Sequence, residues 1–287
     1  MLAVLFSACG SGASTGEGST TAPGAGSSTT AASGTTTTSG TPPTTGSRQL
    51  TIALYLMRGD VLGVAHRRIP ATKQVGKAAL DALFAGPDAL ERAAGLVSDV
   101  PAGTRLLGLT ITGGVATADV SDAFESGGGS LSMTARLAEL VYTLTQFPSV
   151  QKVRLKVNGQ VVTALGGEGI LLEQPVGRLD PTLLNVVPPI LLESPAVGDS
   201  VRSPLHVTGM SNTFEATYRV QLLDATGGVL VDSFGTATAG TGTWGTFDAT
   251  FPYAALVSGT GTLRVFEASA KDGSPVNEVD LALPVGP

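Results

Sequence analysis

The sequence predicts an α+β domain followed by an all-β sandwich, both carried behind a disordered N-terminal tract. Three observations support this. Between residues 48 and 180, segments with a helical apolar period alternate with period-two segments joined by Gly-Gly or Asn-Gly. Between residues 188 and 287, seven short alternating runs are separated by turn residues. Residues 10–47 hold nothing apolar larger than Ala except Pro23, Pro42 and Pro43, too little burial to offset chain entropy.

In the first domain, residues 51–56 (TIALYL) and 62–69 read as strands. Thr72 is placed to cap a helix running through Phe84, with Val75, Ala79, Ala82 and Leu83 on one face. Gly86-Pro87 ends it, and an irregular stretch follows. Residues 105–112 and 115–120 form a hairpin around Gly113-Gly114. A second helix starts near Ser132, carries Leu137, Leu140, Val141 and Leu144 as its apolar stripe, and stops at Pro148. Residues 150–157 and 160–165 form a second hairpin around Asn158-Gly159. That turn signal is the stronger one, because a type I′ turn needs positive φ at both central residues. Helix then hairpin thus occurs twice, at 72–120 and 132–165. Two such units would lay their helices on one face of an antiparallel sheet.

Residues 185–189 read as an extended linker, stiffened by Pro188-Pro189. Beyond it, strands are expected at 190–193, 205–210, 218–223, 229–234, 245–251, 263–268 and 278–283. That strand density points to an immunoglobulin-like sandwich. Its core must be apolar throughout, because no cysteine pair is available, and Trp244 is a candidate anchor.

Composition narrows the function. The 287 residues are only 14% charged, a density common in secreted proteins, with a formal net charge of −6. Residues 48–180 hold 13 Lys+Arg against 12 Asp+Glu, a net of +1. Residues 181–287 hold 4 against 10, a net of −6, and Glu17 completes the total. Nothing here is basic enough to predict nucleic-acid binding. No apolar run reaches the roughly 20 residues of a spanning helix, so membrane attachment falls to Cys9.

Cys9 is the only cysteine, so it has no disulfide partner. No His, Asp or second Cys lies nearby to share a metal with it. The run Leu5-Phe6-Ser7-Ala8-Cys9 resembles a bacterial lipobox, which implies lipidation of Cys9. Residues 1–8 then form a partial signal peptide, shorter than a full leader, which implies a start upstream. Residues 9–47 become a lipid-anchored disordered linker; a flexible coil of that length spans about 35 Å. It would tether the folded domains, 48–180 and 188–287, to the outer face of a membrane.

Little in the chain points to catalysis. His66 and His206 fall on separate strands in separate domains, and no Gly-x-Ser-x-Gly, His-Glu-x-x-His or EF-hand loop is present. Residues 125–132 (ESGGGSLS) precede a helix but lack a Gly-Lys-Ser/Thr ending, and Asp122 and Glu125 would repel phosphate. They read as a flexible loop. Asp119, Asp122 and Glu125 match no cation-loop spacing. Residues 66–70 (HRRIP) are the densest basic stretch, a solvated strand end or a dock for an acidic partner, a wall polymer or the chain's own acidic second domain. Asp272-Gly273-Ser274 reads as a turn. No metal or cofactor is predicted, and the chain is expected not to be an enzyme.

Residues 51–56 (TIALYL), 78–87 (AALDALFAGP), 98–124 (SDVPAGTRLLGLTITGGVATADVSDAF) and 137–160 (LAELVYTLTQFPSVQKVRLKVNGQ) resemble the GerMN domain of sporulation and spore-germination proteins. Residues 188–209, 242–253 and 261–285 resemble the immunoglobulin-like domain that often accompanies it. The resemblance implies an extracytoplasmic envelope lipoprotein, similar in layout to ring-building motifs, with no catalytic residues to carry over. The expected function is protein–protein interaction or assembly, with an envelope protein or by self-association. A peptidoglycan or wall-glycan binding module is the alternative, and a cryptic hydrolase the third.

Overall fold

The computed structural model describes residues 48–166 and 169–287. Cys9, the leader and the linker lie outside the described residues.

In the first domain, β1 (Gln49–Arg58) and β2 (Val61–Pro70) pair antiparallel as a separate hairpin. Helix α1 (Val75–Phe84) buries Ala79, Leu80 and Leu83. Thr72 does not cap it: the Thr72 hydroxyl accepts the Gln74 N–H at 3.1 Å, and Gln74 holds the cap position without a side-chain bond. The local turn has won over the helix end. The stretch expected to be irregular contains a short helix, α2 (Ala89–Ala93), with a capping box between Asp88 and Glu91. Asp-x-x-Glu is the sequence signature of that box.

Strands β3 (Leu106–Thr112) and β4 (Val115–Val120) form the first expected hairpin, with Gly113 and Gly114 at φ of 56° and 79°. Helix α3 (Ser130–Thr145) then returns the chain to β5 (Lys152–Val157), which lies parallel to β4. The sheet, ordered β3-β4-β5 and then β6 (Gln160–Val161), is therefore mixed rather than antiparallel. A helix crossing over a sheet delivers the next strand parallel to the last. The second hairpin turns at Asn158 and Gly159 as expected but pairs only two residues on each side. Beyond it, β7 (Ala164–Leu165) pairs instead with β8 (Ile170–Leu171).

Helix α3 is buried all round, from Met133 through Leu144, rather than along one stripe. It touches β1, β2, β5 and α1. It also seals the outer edge of β1. The Gln146 amide donates to the Ala53 carbonyl at 2.7 Å and accepts the Ala53 N–H at 2.8 Å. The Thr143 hydroxyl accepts the Tyr55 N–H at 3.3 Å.

All seven strands expected in the second domain form: β9 (Ile190–Ser194), β10 (Leu205–Ser211), β11 (Thr217–Leu223), β12 (Val229–Thr236), β13 (Gly245–Phe251), β14 (Gly259–Ala268) and β15 (Pro275–Val285). They make a three-stranded sheet, β13-β10-β9, and a four-stranded sheet, β12-β11-β14-β15, all antiparallel. Val207, Val220, Leu222, Leu263 and Val265 are buried in its core. Trp244 is only half-buried against that core. The aromatic anchor is Tyr218 on Phe247, with ring centroids 4.5 Å apart. The expected extended linker is packed instead: Leu184–Val186 make a 3-10 turn, and Val186 and Val187 are buried. Apolar burial of the two valines outweighs the stiffness of the prolines.

Candidate functional site

The described residues belong to one compact unit, and the junction between the domains is built from the chain upward. Val197 bridges Ala65, with the His66 N–H donating to the Val197 carbonyl at 2.7 Å. Gly198 follows at φ of 100°, and a Cβ there would lie 2.4 Å from the His66 carbonyl oxygen, so only glycine fits. The turn aims Asp199 at His66, Nδ1 to Oδ2 at 2.6 Å. Burial opposes the Asp199 charge, but His66, the Ala196 N–H and Arg68 together hold its carboxyl below the usual range.

Arg178 sits at the centre of the junction. Its guanidinium lies 5.1 Å from the Tyr55 ring centroid and 4.9 Å from that of Tyr142. It donates to the Tyr55 hydroxyl at 2.8 Å and to Thr145 Oγ1 at 2.9 Å, and it pairs with Glu193 of β9. Glu193 also accepts the Tyr55 hydroxyl proton. Burial, followed by the Glu193 charge, pushes the Tyr55 phenol well above its ordinary range. Beside this cluster, a cleft of about 260 Å³ opens between Arg58, Val61, Leu191 and Asp280.

The larger opening is in the first domain. A groove of about 460 Å³ runs between the start of α1 and β3, lined by Lys73, Val75, Leu107, Leu109 and Ile111. β3 is the end strand of its sheet, and among the described residues nothing hydrogen-bonds its outer edge. Leu107 and Ile111 are 51% and 44% exposed beside that edge. An unpaired strand edge next to apolar side chains is a template for another extended segment.

The residues singled out in the sequence do not converge. His66 lies at the domain junction, and His206 pairs with Asp248 at 2.6 Å on the exposed side of β10. The glycine loop at 125–132 holds a cation: Arg136 donates to the carbonyls of Phe124, Ser126 and Gly127 at 2.6, 3.2 and 3.0 Å. Its carbonyls point inward, so the loop is closed around its own arginine. Asp119 accepts the Gly159 N–H, and no group of three or more metal-ligating side chains occurs among the described residues. In HRRIP, Arg67 is taken by Glu91 and by the Ala82 and Gly86 carbonyls. His66 reaches the second domain through Asp199, as one reading of that stretch expected. Asp272 makes the expected turn, accepting the Ser274 N–H at 3.1 Å.

Sequence reading missed Arg136, Glu139, Arg178 and the row Lys152, Arg154, Lys156. Only the last carried a local signal, the alternation KVRLKV. Glu139 is fully buried and accepts the Ser98 hydroxyl at 2.6 Å and the Asp99 N–H at 2.7 Å.

No curated protein matches the chain. Among solved structures it is similar to the first GerMN domain of the sporulation protein GerM from Bacillus subtilis, at 25% identity and a TM-score of 0.39. That match covers 46% of this chain and 99% of the other. It is also similar to the tandem GerMN domains of the same protein, at 19% identity and a TM-score of 0.42. There the match covers 71% of this chain and 61% of the other. Residues 53–163 match the family model for sporulation and spore germination, and residues 189–274 match that for the immunoglobulin-like domain of bacterial spore germination. The chain thus joins a GerMN-type sporulation and germination domain to an immunoglobulin-like domain of the bacterial spore-germination family.

Proposed function

We propose that this is a non-catalytic, membrane-anchored envelope protein that works by docking an extended segment of a partner protein against β3. The observation that supports this reading is the contrast between two strand edges. Thr143 of α3 and Gln146 at its C-terminal cap seal β1, whereas β3 is unpaired on its outer edge and flanked by the apolar groove. The two helix-plus-hairpin units, α1 with β3–β4 and α3 with β5–β6, belong to the same proposal as the assembly surface. Lipidated Cys9 and the tract behind it would hold that surface near the membrane and raise its local concentration for membrane partners.

The test is a photo-crosslinking residue at position 107 of the full chain in living cells, with a second at Val229 as control. Position 107 should join one envelope protein, and Leu107→Ser/Ile111→Ser should abolish a crosslink made from Lys73. Cys9→Ala should release the chain from membranes and lose the partner. Crosslinking to wall fragments alone, or equal yield from positions 107 and 229, would overturn the reading.

A further inference from the structure

We propose that the open face of the β3–β6 sheet binds a linear phosphodiester polyanion through Lys152, Arg154 and Lys156. Along β5, Val153 and Leu155 turn into the core, so the three cations share the opposite face. Successive cations are two strand residues apart, ~6.7 Å. Lys152 and Arg154 are exposed and Lys156 half-buried, and among the described residues none of their side chains has a hydrogen-bond or ion-pair partner. Parallel pairing puts Thr117 beside Arg154 and Asp119 beside Lys156. The Asp119 carboxylate is engaged by the Gly159 N–H at 2.9 Å. Thr110 extends the hydroxyl row on the next strand.

This face selects its occupant by charge spacing. A polyol phosphate with a three-carbon repeat has as many backbone bonds between phosphorus atoms as two peptide residues, ~7 Å when extended. Its phosphates therefore meet the cations one to one, with the guanidinium offering a two-pronged contact at the centre. A bilayer is a poorer fit, because lipid recognition uses clusters of roughly four to eight cations. Nucleic acid is disfavoured because the face offers no aromatic ring for stacking.

The experiment is titration calorimetry of the full chain in detergent micelles with a defined glycerol-phosphate oligomer. Binding should weaken roughly 20-fold between about 50 and 200 mM salt, as expected for three neutralised phosphates. Lys152→Gln/Arg154→Gln/Lys156→Gln should lose at least about tenfold in affinity with an unchanged thermal melt. Lys73→Gln should bind as wild type. Leu107→Ser/Ile111→Ser should also retain the oligomer, which separates this site from the β3 edge. No binding by wild type, or equal binding by the triple variant, would overturn the proposal. So would equal affinity for polyglutamate, a single-stranded oligonucleotide or phosphatidylglycerol vesicles.

Discussion

Arg136 in the first domain and Arg264 in the second both face oxygen atoms, and they differ in what water can replace. Arg136 is 2% exposed and is wrapped by loop carbonyls and by the carbonyl and hydroxyl of Ser132. Arg264 stands across the strand pair from Asp280 and grips it with two bonds of 2.9 and 3.0 Å at the surface. The contrast extends to each domain. The first threads long loops around single buried side chains: Arg67 with Glu91, Arg136 with the glycine loop, and Glu139 with residues 98–99. The second closes its strands over an apolar core and leaves its charges paired outside, as with Arg219 and Asp232. Removing a charge should therefore cost far more in the first domain than in the second.

The largest effect is expected from Arg136→Ala. It strands the Phe124, Ser126 and Gly127 carbonyls and removes the cation nearest Glu139. Urea unfolding should show a loss of about 3–5 kcal/mol; a loss below ~1 would mean that water reaches the loop and the contrast fails. Arg178→Ala comes next, at about 2–3 kcal/mol, because Glu193 keeps partial access to solvent and each buried tyrosine keeps a hydroxyl acceptor, Glu193 for Tyr55 and the carbonyl of residue 178 for Tyr142. Small-angle scattering should also show the two domains loosening. Full stability with unchanged scattering would locate the junction's strength in Val186, Val187 and Val197 instead.

The same division explains what could be read from the chain. Strands and turns were legible wherever the signal was local. Period-two runs predict all seven strands of the second domain, and Asn158-Gly159 predicts its turn through the need for positive φ. The short helix at 89–93 has an equally local signal, Asp-x-x-Glu, within a stretch whose Gly and Pro read as irregular. The parallel pairing of β4 with β5 was not legible, because two adjacent hairpins and a crossover share one local pattern. Nor were the clusters. Tyr55 and Glu193 are 138 residues apart, and nothing near either announces the other. The three-cation row was visible as KVRLKV, but its meaning depends on which sheet face stays open. Cys9, the one site residue predicted, falls outside the described residues.

Glu139 sharpens the comparison through pH. Burial pushes its carboxyl from the ordinary 4.5 up to about 8, with the Ser98 hydroxyl and the Asp99 N–H working against the rise. The folded state then holds a proton that the unfolded chain releases, so stability falls as pH rises from about 4.5 to about 8 and levels off above that. Glu139→Gln keeps a neutral side chain that can accept from Asp99 and donate to Ser98. The difference between wild-type and variant unfolding curves should be flat in acid and should favour the variant increasingly up to about pH 8. A pH-independent difference would show that the carboxyl titrates alike in the folded and unfolded chain, with Arg136 and the two hydrogen bonds cancelling the effect of burial.

Arg264→Ala should have the smallest effect, a loss of at most about 1 kcal/mol at low ionic strength that fades with salt. The guanidinium also reaches Glu278 at 2.9 Å, so its removal leaves two neighbouring carboxylates facing water. Water and counterions can solvate both, which is why geometry as good as that around Arg136 carries so much less stability here. A loss above ~2 kcal/mol that persists in molar salt would place Arg264 among the interior ties. The second domain would then depend on its outer charge ladder as the first depends on its buried one.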